Sequence, residues 1–232
     1  FIDCDIRNRE GVSRAMKNID IVHHNVALVP LTKSGKKFWD VNVTGTQIAA
    51  EEALKAGVQG FVHMSSSAVY GAVDCFPINE DTHTKPIEIY GRAKLAGENV
   101  VKSIINNTNL PLIIIRPRTI LGEGRLGIFQ ILFDWIKDNK NIYVIGSGNV
   151  KFQFVHAHDL MDFYMLALKL EKSGKFNVGT DRFDTLRSGL EDLIDYSKSS
   201  SVVKSLPIQL TINLLKLADY LKISPLAPWH YL

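Results

Sequence analysis

Leu112-Ile113-Ile114-Ile115 is an unbroken apolar run that stops at Arg116-Pro117. Successive side chains of a strand point to opposite faces, so a half-exposed strand alternates apolar and polar residues. A run without alternation needs cover on both faces, which a parallel sheet flanked by helices supplies. The rest of the chain repeats the pattern. Residues 19–24, 60–65, 141–145 and 175–178 read as short strands. Between them lie helical stretches at 44–56 (Ile48, Ala49, Ala53, Leu54, then Gly57 as a stop), 90–107 (Leu95, Val100, Val101, Ile104, Ile105), 128–137 (Ile131, Leu132, Trp135, Ile136) and 160–170. Strands alternating with helices predict an α/β fold with a parallel sheet.

Composition shifts after about Asp181. Helical stretches at 187–198 and 207–222 flank Ser199-Ser200-Ser201. The second carries Ile208, Ile212, Leu215, Ala218 and Leu221 on one face, and also Leu210, Leu214 and Leu217. So wide an apolar surface reads as core packing in a small lobe, with an oligomer or apolar-ligand surface as the alternative. The net charge of +3 and the scattered lysines argue against a nucleic-acid groove. No run reaches the ~18 apolar residues of a membrane span. Cys4 and Cys75 are two and far apart, so a reduced, cytoplasmic setting fits better than a disulfide framework.

The chemistry concentrates in Tyr90-Gly-Arg-Ala-Lys94, together with Ser65-Ser66-Ser67-Ala68-Val69-Tyr70-Gly71. Tyr90 and Lys94 are four apart on one helix face. A cation beside a phenol favours the phenolate, which makes Tyr90 a candidate general acid/base. A buried strand ending in serines, a turn-rich loop (Pro77, Asn79, Asp81, Pro86) and then the Tyr/Lys helix would make the three groups converge. Two other patterns carry less. His23 and His24 point to opposite faces of a strand and lack an acidic or cysteine ligand set, so no metal is expected. His156 and Asp159 read as a structural histidine and a helix cap rather than a catalytic pair.

HMSSSAVYG (63–71), YGRAKLAGE (90–98), VNVTGT (41–46), Arg116-Pro117 and FVHAHDL (154–160) together resemble the extended short-chain dehydrogenase/reductases, specifically the NAD-dependent epimerase/dehydratase group. The resemblance runs from residue 1 to about residue 180. It implies a doubly wound parallel (Rossmann-like) sheet with a small, mostly helical C-terminal substrate lobe. The division expected is 1–145 as a dinucleotide-binding domain and 146–232 as the substrate lobe interleaved with the last strands. The sheet is expected to be N-terminally incomplete: Phe1-Ile2-Asp3-Cys4-Asp5 looks like the family's third strand, so about fifty to sixty residues with the glycine fingerprint would lie upstream. Gly122-Glu-Gly124-Arg-Leu-Gly127 spells a similar pattern. It follows the Tyr/Lys pair and would place Glu123 against a pyrophosphate, so it reads as a glycine-rich loop beside the substrate cleft.

Residue by residue, the resemblance implies Ser66, Tyr90 and Lys94 as the catalytic set. Asp5 and Ile6 would face the adenine, with Asn25 and Val26 along the cofactor and Pro117 beside the nicotinamide. Asn42 would brace the active-site loop, and Lys94 would hold the ribose. Ser66, Ser67, Arg118, Thr119, Arg125 and Lys151 are the candidate substrate contacts. The cofactor expected is NAD, with NADP left open, and the partners expected are a small-molecule substrate such as a nucleotide sugar and a second copy of the chain.

Three departures bear on function. The dehydratase members carry an acid pair after the active Ser/Thr, where this chain has Ser67 and Ala68. The diphosphate-gripping arginine is replaced by Phe152 beside Lys151. The asparagine after the Arg-Pro pair is replaced by Arg118 and Thr119. The expected activity is an NAD(P)-dependent epimerase. Alternatives are a dehydrogenase/reductase of a hydroxysteroid-like alcohol and a non-catalytic dinucleotide-binding protein.

Overall fold

A computed structural model describes residues 1–29, 36–73, 76–124, 128–169 and 173–221. Arg125, Gly127, Cys75 and the C-terminal stretch from Lys222 lie outside the described residues. The chain divides into two compact units. The first comprises residues 1–118 and 157–179, the second residues 119–156 and 180–232.

The first unit is built on a four-stranded sheet of β1 (Ile21–His24), β2 (Gly60–Met64), β3 (Leu112–Pro117) and β7 (Gly174–Val178), in the order β1-β2-β3-β7. Every pairing is parallel. All of β3 is buried, as the unbroken apolar run requires. Helices α1 (Arg9–Ala15), α3 (Thr46–Ala56) and α4 (Ile89–Ile105) supply residues to the core with β2 and β3: Val12, Ile48, Ala53, Phe61, Val101, Ile105, Leu112 and Ile114 are all buried there. Helix α6 (Ala157–Leu168) belongs to the same unit. The parallel α/β architecture is the one the sequence predicts.

Several elements differ from expectation. Helix α1 has no counterpart in the sequence reading; Asn8 caps it by accepting from Gly11 N. A short helix α2 (Lys36–Trp39) leads into a π-helical turn at Asp40–Gly45, and only then does α3 begin. The helical region thus starts earlier than residue 44. Thr46 Oγ1 donates to the Asn42 carbonyl within this widened turn, and His24 Nε2 lies 2.8 Å from Thr46 Oγ1. Gly57 closes α3 in the left-handed conformation, as a helix-stop glycine should. Helix α6 starts at Ala157, so Asp159 sits inside the first turn rather than capping it. An acid there still complements the helix dipole.

The second unit has two parallel ladders: β4 (Thr119–Leu121) with β6 (Phe154–His156), and β5 (Ile142–Ile145) with β8 (Val203–Leu206). Strands β4, β6 and β8 are three or four residues long, too short to leave a periodic signal. Ile136, Ile142, Val144, Leu190, Ile194 and Val203 form its core, drawn from β5, β8, α5 (Ile128–Lys137) and α7 (Leu186–Ser197). The last helix, α8 (Ile208–Tyr220), differs from the core-packing expectation: Leu210, Leu214 and Leu217 are all more than half exposed.

Candidate active site

The site lies in the first unit, at the C-terminal ends of β2 and β3 and the start of α4. Strand β2 ends at Met64, and Ser65 continues it by donating its N–H to the Ile115 carbonyl of β3. The backbone then breaks into a 3-10 turn at Ser67–Val69. Ser66 caps that turn: extended itself, it accepts at Oγ from Ala68 N at 3.2 Å. Helix α4 starts hard against this turn. A Cβ on Gly91 would stand 2.4 Å from the Ala68 carbonyl oxygen. Only a glycine lets Tyr90, its neighbour, come this close to the serine turn.

Tyr90 is half-buried and Lys94 is buried. The Lys94 Nζ lies 5.9 Å from the Tyr90 ring centroid. It donates to the Met64 carbonyl at 2.8 Å, two residues before Ser66. Burial pulls the ammonium down from its ordinary 10.5 to about 8, although the Glu98 carboxylate works to raise it. The helical spacing read from the sequence therefore does set Tyr90 and Lys94 side by side, and the fold aims Lys94 at the strand end that leads into Ser66.

Beneath this layer lies a buried polar network. Glu98, one turn after Lys94, is fully buried. Its carboxylate accepts from Arg116 Nε at 2.8 Å and Nη2 at 2.6 Å, from Ser65 Oγ at 2.6 Å, and from Lys102 Nζ at 3.2 Å. Burial favours the neutral acid, but the Arg116 and Ser65 hydrogen bonds outweigh it and hold the carboxyl below its ordinary value. Arg116 also donates Nη1 to Tyr70 OH, which donates to Asn177 Oδ1 on β7. Three site-bearing segments, the serine turn, α4 and the end of β3, thus meet in one charge-paired cluster. The sequence motifs contain Ser65 and Glu98 but gave neither a part in the site. The signal available was Glu98 itself, an acid at (i, i+4) from Lys94 on the buried helix face.

The remaining candidates are placed less centrally. Asn42 is buried and pins Leu28, accepting from its N–H and donating to its carbonyl, both at 3.0 Å. It braces the segment after β1 that carries Asn25 and Val26, both exposed. Asp5 is held by Arg7 through paired hydrogen bonds of 2.9 and 2.6 Å, which keep its carboxyl well below the usual range. Ile6 packs towards Gly45. Pro117 is buried at the end of β3, level with Val178 of β7. Arg118 reaches back to Ser67, donating from Nη1 to Oγ at 3.2 Å. Thr119 and Lys151 belong to the second unit: Thr119 pairs with Phe154, and exposed Lys151 bridges Thr185. His24 and His63 face each other in register on β1 and β2, with ring centroids 5.5 Å apart. Burial lowers both pKa values, His24 to about 4. Among the described residues no group of histidines, cysteines or acids could hold a metal ion.

Over its full 232 residues the chain is 44% identical to "Uncharacterized protein y4nG" of Sinorhizobium fredii, covering 59% of that protein. It is 26% identical to UDP-arabinose 4-epimerase 1 of Arabidopsis thaliana over 235 residues, covering 84% of this chain and 56% of that one. The chain therefore spans a little over half the length of these curated relatives. Among solved structures, UDP-glucuronic acid 4-epimerase from Bacillus cereus in complex with NAD superposes with a TM-score of 0.80 at 25% identity, over 89% of this chain and 69% of that one. A family model matches residues 1–179, the span that holds Ser66, Tyr90, Lys94, Glu98 and Arg116. The chain belongs to the NAD dependent epimerase/dehydratase family.

Proposed function

We propose that the protein is an NAD(P)-dependent epimerase-type oxidoreductase acting on a nucleotide sugar. The observation that carries this reading is Lys94: buried, beside Tyr90, and bonded to the strand end that leads into Ser66. The residues fit a dinucleotide. An ammonium has three donors. The described hydrogen bonds use one, on Met64, so two remain for ribose hydroxyls at the C-terminal end of a parallel sheet. When bound, the cofactor supplies the acceptor, and then the donor, of a hydride.

The chain's own groups do the rest. Tyr90 Oη takes the proton of the substrate hydroxyl as its carbon gives up hydride, and returns it when hydride comes back to the other face. The Lys94 charge stabilises the phenolate at that moment. Ser66 accepts from Ala68 N, so its own O–H is free to donate to the substrate oxygen. Ser67 and Ala68 supply no acid or base for elimination of water, which favours epimerisation over dehydration. Phe152, which stands where the family has its diphosphate-gripping arginine, packs with Phe129 and Phe154 at ring distances of 5.9 and 4.9 Å. That aromatic cluster accounts for its apolar surface and leaves the sugar reading in front.

The test is Tyr90→Phe, assayed by NMR for interconversion of 4-epimeric nucleotide sugars while net NAD(P)H is followed by absorbance. Turnover should fall at least about 10³-fold with the fold unchanged. Retained epimerisation would refute the role of Tyr90, and stoichiometric NAD(P)H accumulation would replace epimerase by dehydrogenase.

A further inference from the structure

Arg118 differs from its neighbour Arg116 in what its guanidinium meets. Among the described residues no carboxylate pairs with it, and burial alone lowers its pKa. Its Nη1 reaches a neutral oxygen, Ser67 Oγ, while its Nε is shielded from water without any acceptor. Buried charges in proteins are normally paired, and an orphaned buried N–H calls for an explanation. The contrast two residues away is sharp: Arg116 is fully buried where Arg118 is half-buried, and is gripped bidentately by Glu98.

We propose that Arg118 and Ser67 form a subsite for a carboxylate carried by the sugar of the substrate, making Arg118 a specificity-determining residue. A guanidinium meets a carboxylate with two parallel N–H donors. The Ser67 hydroxyl accepts from Arg118, so its own proton turns outward and adds a third donor. Position argues for the sugar rather than the diphosphate. Ser67 follows Ser66 directly, and consecutive Cα atoms lie about 3.8 Å apart. If Ser66 meets the reacting oxygen, an anion on Ser67 and Arg118 lies within about one sugar ring of it. The inference rests on the proposed function only for that placement of Ser66.

The test reads binding, independently of turnover. Arginine Nε–H resonances are recorded with methyl glucuronide, methyl glucoside and UDP as separate probes; Arg118→Lys identifies the Arg118 signal by its loss. The glucuronide should shift that signal and bind about tenfold or more tightly than the glucoside. Arg118→Met should bring the two to parity. A signal that stays put with the glucuronide, or moves equally with the glucoside, overturns the proposal. So does movement with UDP alone, which would assign the guanidinium to phosphate. A shift with the glucuronide in a protein without epimerase activity would leave this subsite standing while the proposed function fell.

Discussion

Arg116 and Arg118 are two residues apart at the end of one strand, and their surroundings are opposite. Around Arg116, Glu98, Ser65 and Tyr70 are joined by hydrogen bonds of 2.6–2.8 Å that run on to Asn177 Oδ1. Around the Arg118 guanidinium, the described residues provide a neutral contact at Ser67 Oγ and leave Nε–H without an acceptor. A charge-paired network resists change, because removing either Arg116 or Glu98 leaves the other's buried charge poorly compensated. An open one is ready for a ligand and contributes little to the fold. The lesson is that stability and recognition have been separated within three residues of backbone, Pro117 lying between.

The strongest way to break this comparison is Arg116→Met. It strands the Glu98 carboxylate, so urea unfolding should lose about 3–5 kcal/mol, and adding Glu98→Gln should restore much of the loss. A loss below about 1 kcal/mol would show that the network is not the clamp described.

Lys94 is an intermediate case, a buried cation without a carboxylate of its own. Its folded pKa of about 8 lies below the ordinary 10.5. The unfolded chain therefore binds more protons between pH 8 and 10.5, and stability rises with pH through that window. Lys94→Met abolishes the rise. The stability difference should move towards wild type on the order of 2–3 kcal/mol from pH 8 to pH 10.5, read by denaturant titration at each pH. Parallel pH curves would refute the burial cost.

Ser65→Ala takes one donor from Glu98 and should cost about 1.5 kcal/mol. It should also flatten the acid limb of the stability curve. Glu98 titrates below its ordinary 4.5, so its contribution is complete above that pH and is lost as pH falls beneath it. With one donor fewer, the folded value moves up towards the ordinary one, so the loss should be smaller and should end at a higher pH, which denaturant titration across the acid limb would report.

Arg118→Met should have the smallest effect and the opposite sign, neutral or stabilising by up to about 1 kcal/mol in ligand-free protein. A loss as large as that of Arg116→Met would mean that Arg118 has a structural partner after all, and the contrast would collapse.

Local pattern made much of the first unit legible. The apolar run of β3, the αL stop at Gly57 and the four-residue spacing of Tyr90 and Lys94 each follow from the geometry of one element. The early start of the helical region at Asp40 and of α6 at Ala157 was not legible, because a π turn and a helix boundary depend on which carbonyls find donors. Strands β4, β6 and β8 exist through their partners rather than through any periodicity of their own.

The same division runs through the site. Sequence alone determined the parallel α/β class, the Tyr90–Lys94 face and the serine-bearing strand end, since helix and strand repeats are encoded within a dozen residues. Only the tertiary structure decided that Glu98 meets Arg116 across 18 residues, that Tyr70 meets Asn177 across 107, and that Arg118 meets no acid among the described residues. The register of strands from distant parts of the chain sets these pairings. Whether a charge is matched or left waiting is a property of that register, invisible to any local window.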